Sequence, residues 1–428
     1  MKINLLVSSF IFVAATVISC TDHDIPTDFP EKAEASNPVV LTDANGAKIY
    51  NGGFGSALVQ DRSDKKVFYL LTDRGPNIDG TIANSKVFAK PDFVPQIGKF
   101  RLVGDQLVLE KTILLKNENG VNLNGLPNPV GQGFSGELAL DIMGNTLANS
   151  SDGLDSEGMA MASDGSFWVS DEYGPHLVHF DANGKTIERI NPFGTGAGGR
   201  RIPAVFATRR PNRGMEGLTI TPDGKTLVGI MQFPLYNPSS AAVTGSLVTR
   251  ILAYDIVSGT SKQFVYLIDR ANLQANSEIV AVDNTNFLVL ERDGEYATNA
   301  NKATVIKKVY KIDISSATDI SDPANGAGGK LFGGLTVEQL KDAATLKANG
   351  IIPVSKMLAA DLMMDISTLY PHDKAEGLAI INSTTIAVSN DDDFGVTGAG
   401  TYMSKILPAT GAVDRNTIYF VKLKQPLW

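Results

Sequence analysis

Four glutamates, Glu157, Glu216, Glu278 and Glu376, each open a diverged copy of one block, and each copy closes on a polar cluster. The clusters are Ser170-Asp171-Glu172, Met231-Gln232, Glu291-Arg292 and Ser389-Asn390-Asp391. A fifth, weaker copy has Ser56 at the glutamate position and ends at Thr72-Asp73-Arg74. Carboxylates brought together from several such copies repel one another unless something neutralises them. A hard divalent cation, which takes about six to eight oxygen ligands, is the economical answer. Calcium suits an all-oxygen set better than zinc, because Cys20 is the only cysteine and histidines are few. The candidate ligands are Asp73, Glu157, Glu216, Glu278, Glu376 and Asn390, and the candidate acid–base groups are Glu157, Asp171 and Glu291.

Cationic side chains recur beside the same acids. Arg74 follows Asp73, Arg213 precedes Glu216 by three, Arg292 follows Glu291, and Lys374 precedes Glu376 by two. Guanidinium and ammonium groups beside a bound cation make a pocket for phosphate or carboxylate. Tyr173 and His176 lie at the same strand ends and are further candidates for substrate contact. Two plainer readings compete. The cations are counter-ions for the carboxylates, or the glutamates accept backbone amides from neighbouring repeats and stitch the fold together.

Convergence requires elements that repeat around an axis. Each block reads as two short apolar strands joined by turn chemistry, at Asp164-Gly165, Asp223-Gly224, Asp283-Asn284 and Asn382-Ser383. Repetition of this kind predicts an all-β fold, a β-propeller of about five to six four-stranded blades. Gly98 to Val103, Leu107 to Leu115, Val178 to Phe180, Leu252 to Asp255 and Val309 to Asp313 supply outer strands. The terminal strand Thr417 to Leu423 is expected to close the ring, with Lys48 to Tyr50 as its partner. Thr336 to Leu346 has helical spacing, an N-cap threonine and Gly350 as a stop, and reads as one short helical insertion. Asn117 to Ser151, rich in Asn, Gly and Pro, reads as a long excursion.

With 43 % hydrophobic residues the chain can bury a sizeable core, and a net charge of -8 with no basic face excludes nucleic acid as a partner. Residues 1–19 have a basic start and a short apolar stretch, as a secretory signal does, and end on Val17-Ile18-Ser19-Cys20. This string resembles a bacterial lipobox, which makes Cys20 a candidate lipidation site and places the protein in the cell envelope, periplasmic or cell-surface side. An ordinary signal peptide with a chance cysteine is the plainer alternative. Residues 20–38 read as an acidic disordered tether and 39–428 as the folded domain, expected to be monomeric.

The strings Asp73-Arg74-Gly75-Pro76, Ser156-Glu157-Gly158, Trp168 to Pro175, Asn212 to Leu218, Leu290 to Gly294 and Ala375 to Gly395 closely resemble the phytase-like, "esterase-like activity of phytase" family. The resemblance runs in order from about Asn51 to Leu423, and the third repeat departs from it at Ser277-Glu278-Ile279. It implies a propeller-type fold and hydrolysis of an ester or phosphoester in a small anionic substrate. No Gly-x-Ser-x-Gly elbow occurs, and Gly194 to Gly199 runs into Arg200-Arg201-Ile202-Pro203 rather than a helix, so it is not a dinucleotide-binding turn. The remaining alternatives are a metal-dependent lactonase-type hydrolase and a non-catalytic binding propeller.

Overall fold

The computed structural model describes residue 26 and residues 28–428. Its strands are mostly antiparallel and form three four-stranded sheets and one eight-stranded sheet of two four-stranded halves, making five units, with three smaller sheets beside them. The first comprises Ala57–Gln60, Val67–Leu71, Gln96–Val103 and Gln106–Leu114. The second holds Ser156–Met161, Phe167–Asp171, Leu177–Phe180 and Thr186–Ile190. The third holds Met215–Ile220, Thr226–Met231, Val248–Asp255 and Ser261–Leu267. The fourth holds Ala275–Ala281, Asn286–Arg292, Lys307–Asp313 and Ser355–Asp361. The fifth joins Gly377–Asn382, Thr385–Ser389 and Thr417–Lys422 to the N-terminal strand Lys32–Ala35.

The first strands of successive units pack against one another, and the fifth returns to the first, so the inner strands form a closed ring. The arrangement is propeller-like. The two inner strands of each unit are mostly buried on both faces, which explains why they are apolar runs with little polar alternation, whereas outer strands such as Gln106–Leu114 and Ser355–Asp361 are largely exposed. Phe167, Met159 and Leu71 fill the gap between the first two units, and Trp168, Leu218 and Leu227 the next. Ile230 and Phe287 join the third unit to the fourth, Leu290 and Val388 the fourth to the fifth, and Phe68 and Phe420 the fifth to the first.

Two expectations about closure are corrected. Thr417–Lys422 pairs with Thr385–Ser389 and with Lys32–Ala35, not with the strand containing Lys48 to Tyr50, which pairs with Val40–Ala44. Part of the expected tether is therefore structure: Ala33 is fully buried, and Lys32–Ala35 also runs parallel to the edge strand Gln106–Leu114 of the first unit. The edge it covers is otherwise a row of unpaired backbone groups, which outweighs the polar composition of the segment.

The helical insertion is also broken in two. A 3₁₀ turn, Val337–Leu340, carries the capping box of Thr336 and Gln339, and Lys341 at φ 63° separates it from the helix Ala343–Ala348. A buried Arg250–Glu338 ion pair at 2.6 Å pins the insertion to the third unit. At one end of the ring, Ile49, Ile78, Val87, Phe93, Phe394 and Val396 form a small separate core from three short hairpins and sheets. That layer walls one side of the channel mouth.

The glycine after each glutamate has a packing reason. A Cβ on Gly158 meets Glu216 O at 2.3 Å and Leu218 N at 2.5 Å, both on the next inner strand, and a Cβ on Gly217 meets Ile279 N at 2.3 Å. Backbone atoms cannot rotate away as a side-chain end can. Gly158→Ala is expected to lower unfolding free energy by about 3 kcal/mol or more, the upper end for an overpacked interior. Gly294→Ala, where the added methyl meets nothing within 4 Å, should stay within about 0.5 kcal/mol of wild type. Urea denaturation of the two variants measures the contrast.

Candidate functional site

The inner strands carry a register break at the glutamates. In the second unit the pairing shifts between Ser156 and Met159, and in the third between Met215 and Leu218, so Glu157-Gly158 and Glu216-Gly217 stand out of the ladder as bulges. A bulge re-aims the side chain it carries. Glu157 and Glu216 thereby line a basin of about 500 Å³ at the channel mouth, together with Glu376 and residues from the second-strand ends. In the fourth unit the break falls between Asn276 and Glu278, and Glu278 itself stays in register opposite Leu290. Its carboxylate instead accepts the N–H groups of Leu218 at 2.9 Å and Ile279 at 3.0 Å. The repeat that lacks the glycine is thus the one whose glutamate stitches two units together.

Nine lining residues are Asp or Glu and six are Arg or Lys, so the basin carries an excess of acid. The cations do not spread evenly over it. Arg213 pairs with Glu172 at 3.0 Å, Arg292 with Glu376, and Lys374 with Asp391 at 2.6 Å and Asp393 at 2.7 Å. Arg74 is buried and holds Glu137 at 3.0 Å, Tyr173 Oη at 3.0 Å and, more loosely, Asp155 at 3.5 Å. Among the described residues, the carboxylates of Glu157 and Glu216 have no ion pair and accept no hydrogen bond.

Two groups of three carboxylates have oxygens within 4.8 Å of one another: Asp155, Glu157 and Glu172, and Asp73, Asp391 and Asp393. The second already holds two ammonium groups, since Lys374 bridges Asp391 and Asp393 and Lys405 reaches Asp393 at 2.6 Å. The first also meets two cations, the guanidinium of Arg213 on Glu172 and that of Arg74 at 3.5 Å from Asp155, but neither pairs with Glu157, and Asp155 Oδ2 is buried without a hydrogen-bond partner. Burial together with Glu216, Asp155, Glu172 and Glu376 pushes Glu157 well above the usual carboxylate range. Burial and the Glu172 and Glu376 charges do the same to Glu216 against the opposing Arg292 and Arg213, and burial raises Asp155 despite Arg74. Asp73 is pushed up to about 7 by burial, with Lys374 opposing. A donor set of oxygens alone, short of positive charge, fits a hard cation at Asp155, Glu157 and Glu172.

The sequence-derived residues divide accordingly. Asp73, Arg74, Glu157, Arg213, Glu216, Arg292, Lys374 and Glu376 all line the basin. Asp171, Glu291, Tyr173, His176, Glu278 and Asn390 lie outside its lining. Asp171 accepts the N–H groups of Asp155 and Gly174, each at 2.8 Å, and lies 2.7 Å from His176 Nδ1, so it holds the strand end that carries Asp155. Glu291 is fully buried between the third and fourth units, among Tyr266, Gln274 and Lys356. Tyr173 donates to Gly125 O at 2.8 Å, and Asn390 donates to Asp414 at 3.1 Å and accepts Thr417 N–H at 2.8 Å. Alternation decides the case of Asp171: a strand end that offers two adjacent acids sends one to each face, and Glu172 takes the one toward the basin.

That rule also exposes what the sequence reading missed. Glu172, the neighbour of Asp171, and Asp155, two residues before Glu157, face the basin. Arg210 and Asn212 enter it from a tight turn in which Pro211 is followed by Asn212 at φ 50° and Arg213 N–H returns to Arg210 O at 3.0 Å. Pro followed by a left-handed Asn is a type II turn signature, visible in Arg210-Pro211-Asn212-Arg213. Cys20 lies outside the described residues. No helix among those described is long and apolar enough to cross a membrane.

The chain is 27 % identical over 412 residues to an uncharacterized secreted protein of Arthroderma benhamiae, an alignment spanning 75 % of this chain and 79 % of that one. Among solved structures it is similar to the Pseudomonas aeruginosa periplasmic gluconolactonase PpgL, with 10 % identity, TM-score 0.33, and 88 % and 89 % of the two chains covered. A Dyadobacter fermentans protein of unknown function gives 9 % identity and TM-score 0.36 over 92 % of this chain and all of that one. Structural likeness this distant carries no functional weight. The family described as phytase-like, esterase-like activity of phytase, matches residues 49–394, and the chain belongs to it.

Proposed function

We propose that the protein is an exported hydrolase of ester or phosphoester bonds in small anionic substrates, working with a divalent cation, Ca2+, at the mouth of a five-bladed propeller. The observation that carries this reading is the buried triad of Asp155, Glu157 and Glu172, in which Glu157 has no ion pair among the described residues and Asp155 meets Arg74 only at 3.5 Å. These three side chains are the proposed ligands. A cation held there supplies Lewis-acid polarisation of the scissile oxygen and a more acidic bound water. Glu216 is the proposed general base, since its carboxylate faces the basin without a donor and burial with the Glu172 and Glu376 charges raises its affinity for a proton. Arg213 and Arg292 hold Glu172 and Glu376 in place and direct their remaining N–H donors toward negative charge developing on the substrate.

The family assignment supports hydrolysis, and the relative named as secreted supports export. The lipobox-like string supports anchoring through Cys20, on a monomer attached to the envelope. Since the first strand among the described residues begins at Lys32, about a dozen positions after Cys20, the anchored domain sits close to the membrane surface.

Calcium at 100 times its dissociation constant should stabilise the fold by about 2.7 kcal/mol, read as a rise in melting temperature. Glu157→Gln should abolish most of that rise and lower kcat/KM on phosphomonoesters or carboxyl esters by about 100-fold or more. Glu216→Gln should lower turnover comparably and keep the calcium-dependent rise. No bound cation in the purified protein, and no turnover of phosphomonoesters, phosphodiesters, carboxyl esters or lactones, would overturn the reading in favour of a binding propeller.

A pH dependence follows as well. Glu157, Glu216 and Asp155 titrate higher in the folded protein than in the unfolded chain, so the folded state binds the extra protons. Their contribution is most favourable below the unfolded carboxylate value of about 4 and is lost as pH rises through the folded values. In chelator the melting temperature should therefore fall as pH rises above the ordinary carboxylate range. Glu157→Gln should flatten that fall, and saturating calcium should remove it.

A further inference from the structure

Arg210 stands apart from every other arginine of the basin. Arg74, Arg213 and Arg292 each hold a carboxylate. Arg210 has neither an ion pair nor a side-chain hydrogen bond among the described residues; its guanidinium carbon lies 4.9 Å from the Phe233 ring centre and 6.0 Å from that of Tyr236. Stacking on aromatic faces fixes the plane of a guanidinium while leaving its in-plane N–H fork unspent. The turn at Pro211 and Asn212 fixes its backbone, so the fork is held in place from both ends.

The position of this fork is informative. Arg210 and Phe233, with Asn272, line both the acidic basin and a neighbouring groove of about 230 Å³ that continues past Pro234 and Tyr236. The groove contains no carboxylate and no cation other than Arg210. Its walls offer half-buried ring surface, in contrast to the ionised walls of the basin. A molecule lying across the junction meets the acids with one end, the free fork at its middle and the rings with the other.

We propose that this junction is a specificity subsite for a ring-bearing organic anion, in which Arg210 grips a carboxylate or phosphate and the Phe233–Tyr236 groove takes the planar group attached to it. The proposal deepens the hydrolytic reading of the basin and rests on it for the claim that the bound molecule is a substrate. Charge complementarity selects the anion, since a half-buried guanidinium with no ion pair among the described residues is an incomplete hydrogen-bonding group. The ring selects against small anions such as acetate, which reach the fork and leave the groove empty.

Isothermal titration at low ionic strength with benzoate and acetate as probes tests the subsite without requiring turnover. Benzoate should bind wild type at least tenfold more tightly than acetate. Arg210→Ala should weaken benzoate at least tenfold, Arg210→Lys less than Arg210→Ala, and Phe233→Leu should erase the difference between the two probes. Phe233→Leu keeps apolar volume against Arg210, so it separates loss of the ring from loss of the fold. Equal binding of benzoate and acetate by wild type, or a loss below threefold in Arg210→Ala, would overturn the proposal. Ester hydrolysis alongside such a result leaves the basin reading standing; Arg210-dependent benzoate binding with no hydrolysis of any ester class does the reverse.

Discussion

The site exists because the inner strands approach more closely than a Cβ permits. At Gly158 and Gly217 the backbone of the next unit occupies the space a methyl group needs. The serine at the end of the second strand completes the contact: Ser170 Oγ accepts Gly158 N–H at 2.9 Å and donates to Glu216 O. Adjacent units are thereby locked backbone to backbone at the residue following the glutamate. The bulge that makes room for this contact turns the glutamate out of the ladder and toward the axis. Convergence of the acids is a by-product of how the ring closes.

The same constraint explains the asymmetry of the channel. Ile279 replaces the glycine in the fourth unit, the break in register is displaced, and Glu278 spends its charge on two amides. The first unit, which has Ser56 in place of a glutamate, also leaves its sector free of an inner carboxylate. Acid is therefore concentrated on the side of the second and third units, where Asp155, Glu157, Glu172 and Glu216 meet. The opposite side is balanced by Lys374, Lys405 and Arg292. A fivefold scaffold acquires one polar direction, from unpaired acid across to neutralised acid. Arg210, on the rim of the acidic side, extends that direction outward into an aromatic groove.

Much of this was legible in the sequence. The repeat, its turns, the outer strands and the basin positions of Glu157, Glu216, Glu376, Arg213 and Arg292 follow from periodicity and from the recurrence of cations beside acids. What failed did so for identifiable reasons. Asp171 and Glu291 sit at the ends of strands whose two faces are both buried, so burial alone does not show which face meets the channel. Glu278 carried its warning in the missing glycine. Arg210 and Asn212 belong to no repeat, and only the turn signature between them marks their position. The strand Lys32–Ala35 was hidden by composition, because a short edge strand needs one buried residue, Ala33, and a partner distant in sequence.

That strand has a temporal consequence. Lys32–Ala35 is made early but sits between Gln106–Leu114 and Thr417–Lys422, so its final partner emerges from synthesis or translocation only after nearly all the chain. Until then the fifth unit lacks its outer strands and the ring stands open, with the sheet edges and apolar faces on either side of the seam uncovered. Closure is the contact of greatest sequence separation in the molecule and carries the largest loop-closure entropy. Completion of the acidic basin, which needs the fifth unit beside the first, is thus deferred to the end of folding.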